Sequence, residues 1–177
     1  TAAPTMMMSN NQFSISNNVS RSSTALNATS SPVVMAAGGN VDADYMDNEV
    51  AKMGINGFGR IGRLVFRSTF MDQKDKAKVL AINAPNKSLE YLKYLLEYES
   101  VDGGFAGTVE VGDGGLVVDG QFVRVVDSRD PAELEWGTVG VDYVCDSTGA
   151  ILTKEKAQGH LDGGAKKVIF AAPGKDD

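Results

Sequence analysis

Three glycines in the sequence Gly57-x-Gly59-x-x-Gly62 have the spacing of a turn that binds the phosphates of a dinucleotide. An apolar run at 50–55 precedes them as a predicted strand, and an amphipathic run at 61–70 follows them as a predicted helix. Gly57 permits the tight turn, Gly59 has no Cβ to keep a pyrophosphate away, and Gly62 lets the helix pack closely on the strand. The helix start adds unpaired N–H groups with partial positive charge. A glycine-rich turn without a ligand is the alternative interpretation.

Composition and charge argue against several classes of protein. The 177 residues carry a net charge of −6 and no run of five or more basic residues, which argues against a nucleic-acid-binding surface. The single cysteine, Cys145, rules out a disulfide framework. No apolar run is as long as a membrane span, and no metal site is predicted.

The first 41 residues differ in composition from the rest. They contain no Asp or Glu, Arg21 is their only basic residue, and more than half of residues 5–31 are Ser, Thr or Asn. Such a segment buries too little apolar surface to offset the entropy of ordering, so residues 1–41 are predicted to be a disordered leader. A Ser-rich, acid-free composition is typical of an organelle transit peptide, and a plain flexible tail is the alternative because only one Arg is present. Residues 42–50 form an acidic linker, and Thr1 in place of Met indicates an incomplete N-terminus.

Residues 51–177 alternate between strand and helix patterns. Unbroken apolar runs predict buried parallel strands, and short alternating runs between Gly-rich turns predict antiparallel hairpins. Ser88 and Thr153 are predicted helix N-caps. The predicted strands lie at 50–55, 79–83, 143–145 and 168–171, the hairpin runs at 108–111, 116–118 and 122–125, a short helical turn at 131–136, and the apolar stripe of the first helix at Ile61, Leu64, Val65, Phe66 and Phe70. The sequence therefore predicts an incomplete α/β fold, a Rossmann-type doubly wound parallel sheet with an antiparallel hairpin insertion.

The string Gly-Ile-Asn-Gly-Phe-Gly-Arg-Ile-Gly-Arg at 54–63 closely resembles the opening of the phosphorylating glyceraldehyde-3-phosphate dehydrogenases. Further landmarks of that family follow in the same order, and the resemblance covers residues 50–177. They are Ala81-Ile82-Asn83, Tyr98-Glu99-Ser100, Gly104-Phe105-Ala106-Gly107, Ser128-Arg129-Asp130-Pro131, Trp136-Gly137, Ser147-Thr148-Gly149, the run 160–169 and Ala171-Ala172-Pro173.

The resemblance implies a set of residues that bind NAD or NADP. Main-chain N–H groups at Arg60 and Ile61 would face the pyrophosphate, and Asn83 would lie near the adenosine. Arg129 would hold the adenine end, with a surface ion pair to a neighbouring acid as the alternative. The implied cofactor-binding residues are Asn56, Gly57, Gly59, Arg60, Ile61, Gly62, Asn83, Ala84, Arg129, Thr148 and Gly149.

Two positions depart from the family pattern. Ala84 stands where NAD-using members usually have an acid, which would bond the ribose hydroxyls and repel a 2′-phosphate. Because Asn86, Lys87 or Ser88 could then reach that phosphate, NADP use or dual use is predicted. A loop substitution that leaves NAD binding intact is the alternative. Ala171 replaces a Ser of the family, which questions a polar contact near the nicotinamide.

No catalytic residue is predicted in this chain. The resemblance implies that a thiolate, activated by a histidine, attacks the aldehyde, that hydride transfer gives a thioester, and that inorganic phosphate cleaves it. That thiol belongs to a motif past Asp177. Cys145 lies in a buried apolar run, where a thiol has a raised pKa, and His160 is expected to be structural or on the surface, on a helix away from the ligand-binding strand ends.

The resemblance thus implies an inactive fragment of a dehydrogenase for glyceraldehyde 3-phosphate and 1,3-bisphosphoglycerate, a homo-tetramer in its full-length form. The leader and the expected NADP use together favour a plastid enzyme of the Calvin cycle, with a mitochondrial or cytosolic glycolytic enzyme as the alternative. A truncated nucleotide-binding module without catalysis, and a sister enzyme acting on erythrose 4-phosphate, are the other interpretations.

Overall fold

The computed structural model describes the backbone of residues 33–36 and all of residues 50–98 and 103–175. The rest of the predicted leader, nearly all of the acidic linker, and the landmark residues Glu99 and Ser100 lie outside the described residues.

The described residues form one mixed sheet of eight strands. Its strands are β1 (Val33–Ala36), β2 (Ala51–Asn56), β3 (Ala77–Asn83), β4 (Val109–Gly112), β5 (Gly115–Val118), β6 (Gln121–Val126), β7 (Tyr143–Asp146) and β8 (Lys167–Phe170). Their order in the sheet is β1-β8-β7-β2-β3-β6-β5-β4. All neighbouring pairs from β1 to β6 are parallel, whereas β5 is antiparallel to both β4 and β6. The predicted doubly wound parallel sheet with an antiparallel insertion is confirmed.

Helices follow the strands where the sequence predicts them, except that the predicted turn at 131–136 is a 3-10 turn followed by a separate helix, α3, that was not predicted. They are α1 (Arg60–Met71), α2 (Leu89–Glu97), a 3-10 turn (Pro131–Leu134), α3 (Trp136–Val139) and α4 (Lys154–Asp162). Both predicted N-caps are confirmed: the Ser88 hydroxyl accepts from the Tyr91 N–H at 3.2 Å, and the Thr153 hydroxyl accepts from the Lys156 N–H at 3.3 Å. Each hydroxyl satisfies one N–H group that the helix itself leaves unpaired.

The inward face of α1 differs from the predicted stripe. Phe66 and Phe70 are buried as predicted, but Ile61 is 47% exposed. Ile61 belongs to the first turn of α1, which begins past the end of β2 and so has little sheet beneath it. Arg67 is buried instead, because its Nη2 donates to the carbonyl oxygens of Gly103 and Gly104 at 2.7 and 3.0 Å. Backbone carbonyls thus replace water at Nη2, whereas the buried Nη1 has no hydrogen-bond partner among the described residues.

Strand β1 lies within the predicted leader. Residues Val33 to Ala36 pair in parallel register with Lys167 to Phe170 of β8. The leader's composition predicts disorder from its average polarity, whereas this segment is a short apolar run inside it. Pairing supplies the backbone hydrogen-bond partners that the outer edge of β8 would otherwise lack.

Consecutive residues of β3 contribute to separate apolar cores. Ile82 packs with Phe66, Leu92 and other residues of the first core, whereas Ala81 packs with Trp136 and other residues of the second. Alternate side chains of a strand point to opposite faces, so each face of the sheet carries its own core. The Trp136 ring closes the second core over Gly54: a Cβ on Gly54 would lie 2.6 Å from the ring.

Replacing Gly54 by Ala should therefore destabilise the fold, since the fully buried Trp136 ring cannot move aside. We expect a loss of about 1–3 kcal/mol in the free energy of unfolding, measured by urea denaturation. The control is Gly112→Ala in β4, where the nearest atom to a new Cβ is 3.4 Å away. Equal stability of the two variants would contradict the tight contact between β2 and Trp136.

Candidate functional site

The centre of the candidate site is the carboxyl end of β2, where the topology reverses. The chain continues from β2 to β3 on one side, and the later strands β7 and β8 lie on the other. A doubly wound sheet opens a ligand-binding crevice at such a switch point. Three polar residues end the adjacent strands there: Asn56 is in register with Asn83 of β3 and with Asp146 of β7. All three are buried.

The glycine turn after β2 has the geometry predicted for each of its members. Gly57 adopts a φ of +91°, which disfavours any residue with a side chain, and its N–H donates to the carbonyl oxygen of Asn83 at 3.0 Å. A Cβ on Gly59 would meet no atom within 4 Å, so the backbone there is open to a ligand. A Cβ on Gly62 would collide with the Gly57 carbonyl oxygen, so α1 can pack on the turn only with glycine there.

Helix α1 begins at this open backbone without a side-chain cap. Gly59 is its N-cap and has no side-chain oxygen to accept from the N–H groups of the first turn. Arg60 and Ile61 are exposed at that turn. The first-turn N–H groups are therefore left to water or to an anion such as a phosphate.

The turn after β7 packs directly on the glycine turn. The Ser147 hydroxyl donates to the carbonyl oxygen of Gly57 at 2.6 Å. The Asp146 carboxylate accepts from both the N–H and the hydroxyl of Thr148, at 3.1 and 2.7 Å. Gly149 follows with a φ of +70°. The predicted site residues Thr148 and Gly149 thus lie beside the predicted phosphate-binding turn.

Asn83 fixes the loop that carries Arg129. Its side-chain N–H group donates to the Ser128 carbonyl oxygen at 2.7 Å, and its side-chain oxygen accepts from the Ser128 N–H at 3.1 Å. Arg129 is exposed. Within residues 50–98 and 103–175 it forms no ion pair with either neighbouring acid: Asp130 accepts from the Ala132 N–H, and Glu133 accepts from the Ser128 hydroxyl.

The loop after β3 carries Ala84 and the three residues predicted to reach a 2′-phosphate, Asn86, Lys87 and Ser88. Ala84 is buried, and Asn86 adopts a left-handed φ of 58°. The Lys87 ammonium lies 5.0 Å from the centre of the Tyr91 ring, and the Ser88 hydroxyl is already engaged as the cap of α2. The Lys87 ammonium can therefore either stay over the Tyr91 ring or turn to bind an anion.

Asp127 is a residue of this site that sequence reasoning missed. Its carboxylate accepts from the Asn86 N–H at 3.1 Å, beside Ala84. The reason is topological: 122–125 was predicted as part of an antiparallel hairpin, but β6 also pairs in parallel with β3 and places Val126 opposite Asn83. Asp127 therefore lies just past the carboxyl end of β6, at the same edge of the sheet as Asn83.

His160 is buried, which fits the structural one of its two predicted roles and not the surface one, but its predicted position away from the strand ends is wrong. The side chain is fully buried, with its Nε2 3.3 Å from an oxygen of Asp146 at the end of β7. Its Nδ1 accepts from the Trp136 indole N–H at 3.0 Å. His160 lies 14 residues after Asp146 in the chain, and the two side chains meet because α4 packs against the end of β7.

Cys145 agrees with its prediction. It is 6% exposed, and burial, followed by the charge of Asp146, raises the pKa of its thiol from 9.0 to about 11.

Among the described residues, no three His, Cys, Asp or Glu side chains are grouped to hold a metal ion. No helix in that same part of the chain is long and apolar enough to cross a membrane.

The parallel sheet, its switch point and the open glycine turn define a dinucleotide-binding Rossmann domain. The sequence model of "Glyceraldehyde 3-phosphate dehydrogenase, NAD binding domain" matches residues 51–154. The chain belongs to the glyceraldehyde-3-phosphate dehydrogenase family, and the matched region is that family's NAD-binding domain.

Curated relatives agree with this assignment. The chain is 51% identical over 127 residues to a cytosolic glyceraldehyde-3-phosphate dehydrogenase of Gracilaria gracilis, and 52% identical over 127 residues to glyceraldehyde-3-phosphate dehydrogenase 2 of Agaricus bisporus. Identity to glyceraldehyde-3-phosphate dehydrogenase 1 of Schizosaccharomyces pombe is 50% over the same length. In each case the match covers 72% of this chain and 37% of the relative, so the chain spans little more than a third of their length.

Two alanine variants should separate folding from cofactor binding at the glycine turn. Gly62→Ala should lower the free energy of unfolding by about 1–3 kcal/mol, because its Cβ meets the Gly57 backbone. Gly59→Ala should leave stability unchanged, since its Cβ meets nothing, and should weaken NADH binding at least tenfold by occupying the space of the pyrophosphate. Urea denaturation and fluorescence titration measure the two effects. Full NADH affinity in Gly59→Ala would show that no phosphate lies on this backbone.

Proposed function

We propose that residues 51–175 bind NAD or NADP for a dehydrogenase that interconverts glyceraldehyde 3-phosphate and 1,3-bisphosphoglycerate. The observation that carries the proposal is the open backbone of Gly59 at the switch point, framed by the turn after β7. A Cβ at this position would occupy open space that a phosphate could otherwise use. The bound nicotinamide supplies the hydride acceptor or donor of the reaction.

The cofactor would lie across the carboxyl ends of β3, β2 and β7. The first-turn N–H groups at Arg60 and Ile61 would bind the pyrophosphate, and Gly57 and Gly62 would shape the turn beneath it. Asn83 and the Arg129 loop would hold the adenosine half. Thr148 and Gly149 would border the nicotinamide half, since the turn they form lies on the opposite side of the glycine turn from Asn83.

The thiolate nucleophile used by the family is proposed to lie outside residues 51–175. Cys145 is unsuited to that role because its thiol is buried and its pKa is raised to about 11. His160 is equally unsuited to activate a thiol, because both ring nitrogens already have buried partners. Residues 51–175 therefore bind and orient the cofactor.

The 177-residue chain should bind NADH or NADPH without catalysing aldehyde oxidation. Cys145→Ser should leave cofactor affinity within about twofold, measured by fluorescence titration, because the thiol is buried within the sheet. A hybrid that carries the 127 aligned residues in place of those of the Gracilaria gracilis relative tests the reaction itself. This hybrid should oxidise glyceraldehyde 3-phosphate with or without Cys145→Ser, and loss of activity on that substitution would make Cys145 the nucleophile. No cofactor binding at all by the chain would overturn the proposed function.

The site also supports the use of NADP beside NAD. The buried methyl group of Ala84 neither bonds the ribose hydroxyls nor repels a 2′-phosphate. Lys87 lies on the same loop and supplies a positive charge. Asp127 opposes exclusive NADP use, because its carboxylate is fixed beside this loop by the Asn86 N–H and would repel a phosphate. Dual use is the preference that both features support.

Two charge changes test this preference. Ala84→Asp should shift the ratio of NADPH to NADH affinities toward NADH at least tenfold, and Asp127→Asn should shift it several-fold toward NADPH. The Asn side chain can still accept from the Asn86 N–H, so the loop is preserved. Glu110→Gln removes an exposed carboxylate of β4 and should leave this affinity ratio unchanged. A tenfold preference for NADH in the unaltered chain that Ala84→Asp leaves unmoved would refute NADP use.

Substrates, assembly and location follow from the family assignment as further parts of the proposal. The substrates would be a phosphorylated aldehyde and inorganic phosphate, and the assembled enzyme a homo-tetramer. The polar leader at 1–41 and Ala84 support a plastid location, and the cytosolic Gracilaria gracilis relative favours the cytosolic alternative.

A further inference from the structure

A continuous row of buried hydrogen bonds crosses the floor of the cofactor crevice. It begins at Trp136, whose indole N–H donates to His160, and passes to Asp146. From the other side, the Asn56 amide donates to the same Asp146 oxygen at 2.6 Å, and the Asn83 amide donates to Asn56 at 2.7 Å. The five side chains come from α3, α4, β7, β2 and β3.

The partners of the His160 ring determine its protonation state. An indole N–H can only donate, so Nδ1 of His160 must be the unprotonated nitrogen. The ring is therefore neutral, with its proton on Nε2 and directed to Asp146. The 3.2 Å approach of the Asn56 amide nitrogen to Nε2 follows because both groups donate to one oxygen.

Asp146 connects His160 by hydrogen bonds to two parts of the crevice. One carboxylate oxygen accepts from His160 and Asn56, and the other accepts twice from Thr148. The Thr148 arm sets the turn that packs on the glycine turn. The Asn56 arm leads through Asn83 to Ser128, the residue before Arg129.

We infer that His160 is a positioning residue for the dinucleotide: its Nε2–H fixes the Asp146 carboxylate, and through it the loops on both sides of the crevice. This inference rests on the proposed cofactor-binding function. Without that donor, the carboxylate can rotate toward water, and Thr148 and Asn56 lose a fixed acceptor. Hydrogen bonds weaken steeply when their geometry is disturbed, so displaced loops would hold the dinucleotide less tightly.

A matched pair of amide variants tests the inference in the full chain. His160→Gln can place its side-chain N–H near the position of Nε2 and donate to Asp146. His160→Asn has the same chemical group but is one methylene too short to reach Asp146, while it can still accept from Trp136. We expect His160→Gln to bind NADPH and NADH within about threefold of the unaltered chain, and His160→Asn to bind them about tenfold more weakly.

A stability control separates positioning from general loss of structure. Val144→Ala creates a small cavity in the fully buried core beside Asp146. It should lower the urea midpoint while leaving cofactor affinity unchanged at temperatures where the variant is folded. If His160→Asn keeps full affinity, or if His160→Gln loses as much as His160→Asn, the inference is wrong. If the unaltered chain binds neither cofactor, the proposed function itself fails.

A measurement on the unaltered chain remains decisive if the Asn variant does not fold. The ¹⁵N NMR spectrum of the imidazole should show a neutral ring protonated on Nε2, both without cofactor and with NADPH bound. A ring protonated on Nδ1, or on both nitrogens, would remove the donor arrangement on which the inference depends.

Discussion

The architecture of the crevice depends on one buried carboxylate. Asp146 is almost fully enclosed and accepts from four donors, contributed by Asn56, His160 and Thr148. A carboxylate buried in this way is tolerated only if its lone pairs are satisfied, because an unpaired buried charge costs several kcal/mol. The fold can meet that requirement only when β2, β7 and α4 all occupy their observed positions, so the charge specifies one arrangement of the crevice.

This requirement divides the site into two layers with different tasks. The proposed ligand contacts at Arg60, Ile61 and Arg129 are exposed, and they belong to turns and helix ends. Beneath them, buried side chains such as Asn83 hold the backbone of those turns. The loops that carry the exposed groups are therefore already ordered before a ligand binds. The entropy cost of fixing those loops is met during folding and does not oppose binding.

Local signals in the sequence were sufficient for the glycine turn, the strand runs and the cap at Ser88, because each depends on residues a few positions apart. The partnership of His160 with Trp136 spans 24 residues, and that of Asn56 with Asp146 spans 90, so neither has a local signature. Asp127 was missed for a similar reason, since the parallel pairing of β6 with β3 is a property of the whole sheet. Long-range pairing therefore decided the part of the site that composition and periodicity did not predict.

The environment of Cys145 makes its thiol slow to react with oxidants. Far fewer of its thiols are ionised near neutral pH than for a thiol with the ordinary pKa of 9.0, because burial raises the pKa to about 11. Peroxides and alkylating agents react with the thiolate, and the side chain is also shielded from solvent. Oxidants are therefore expected to modify an exposed sulfur of this domain, that of Met71, before they reach Cys145 in β7.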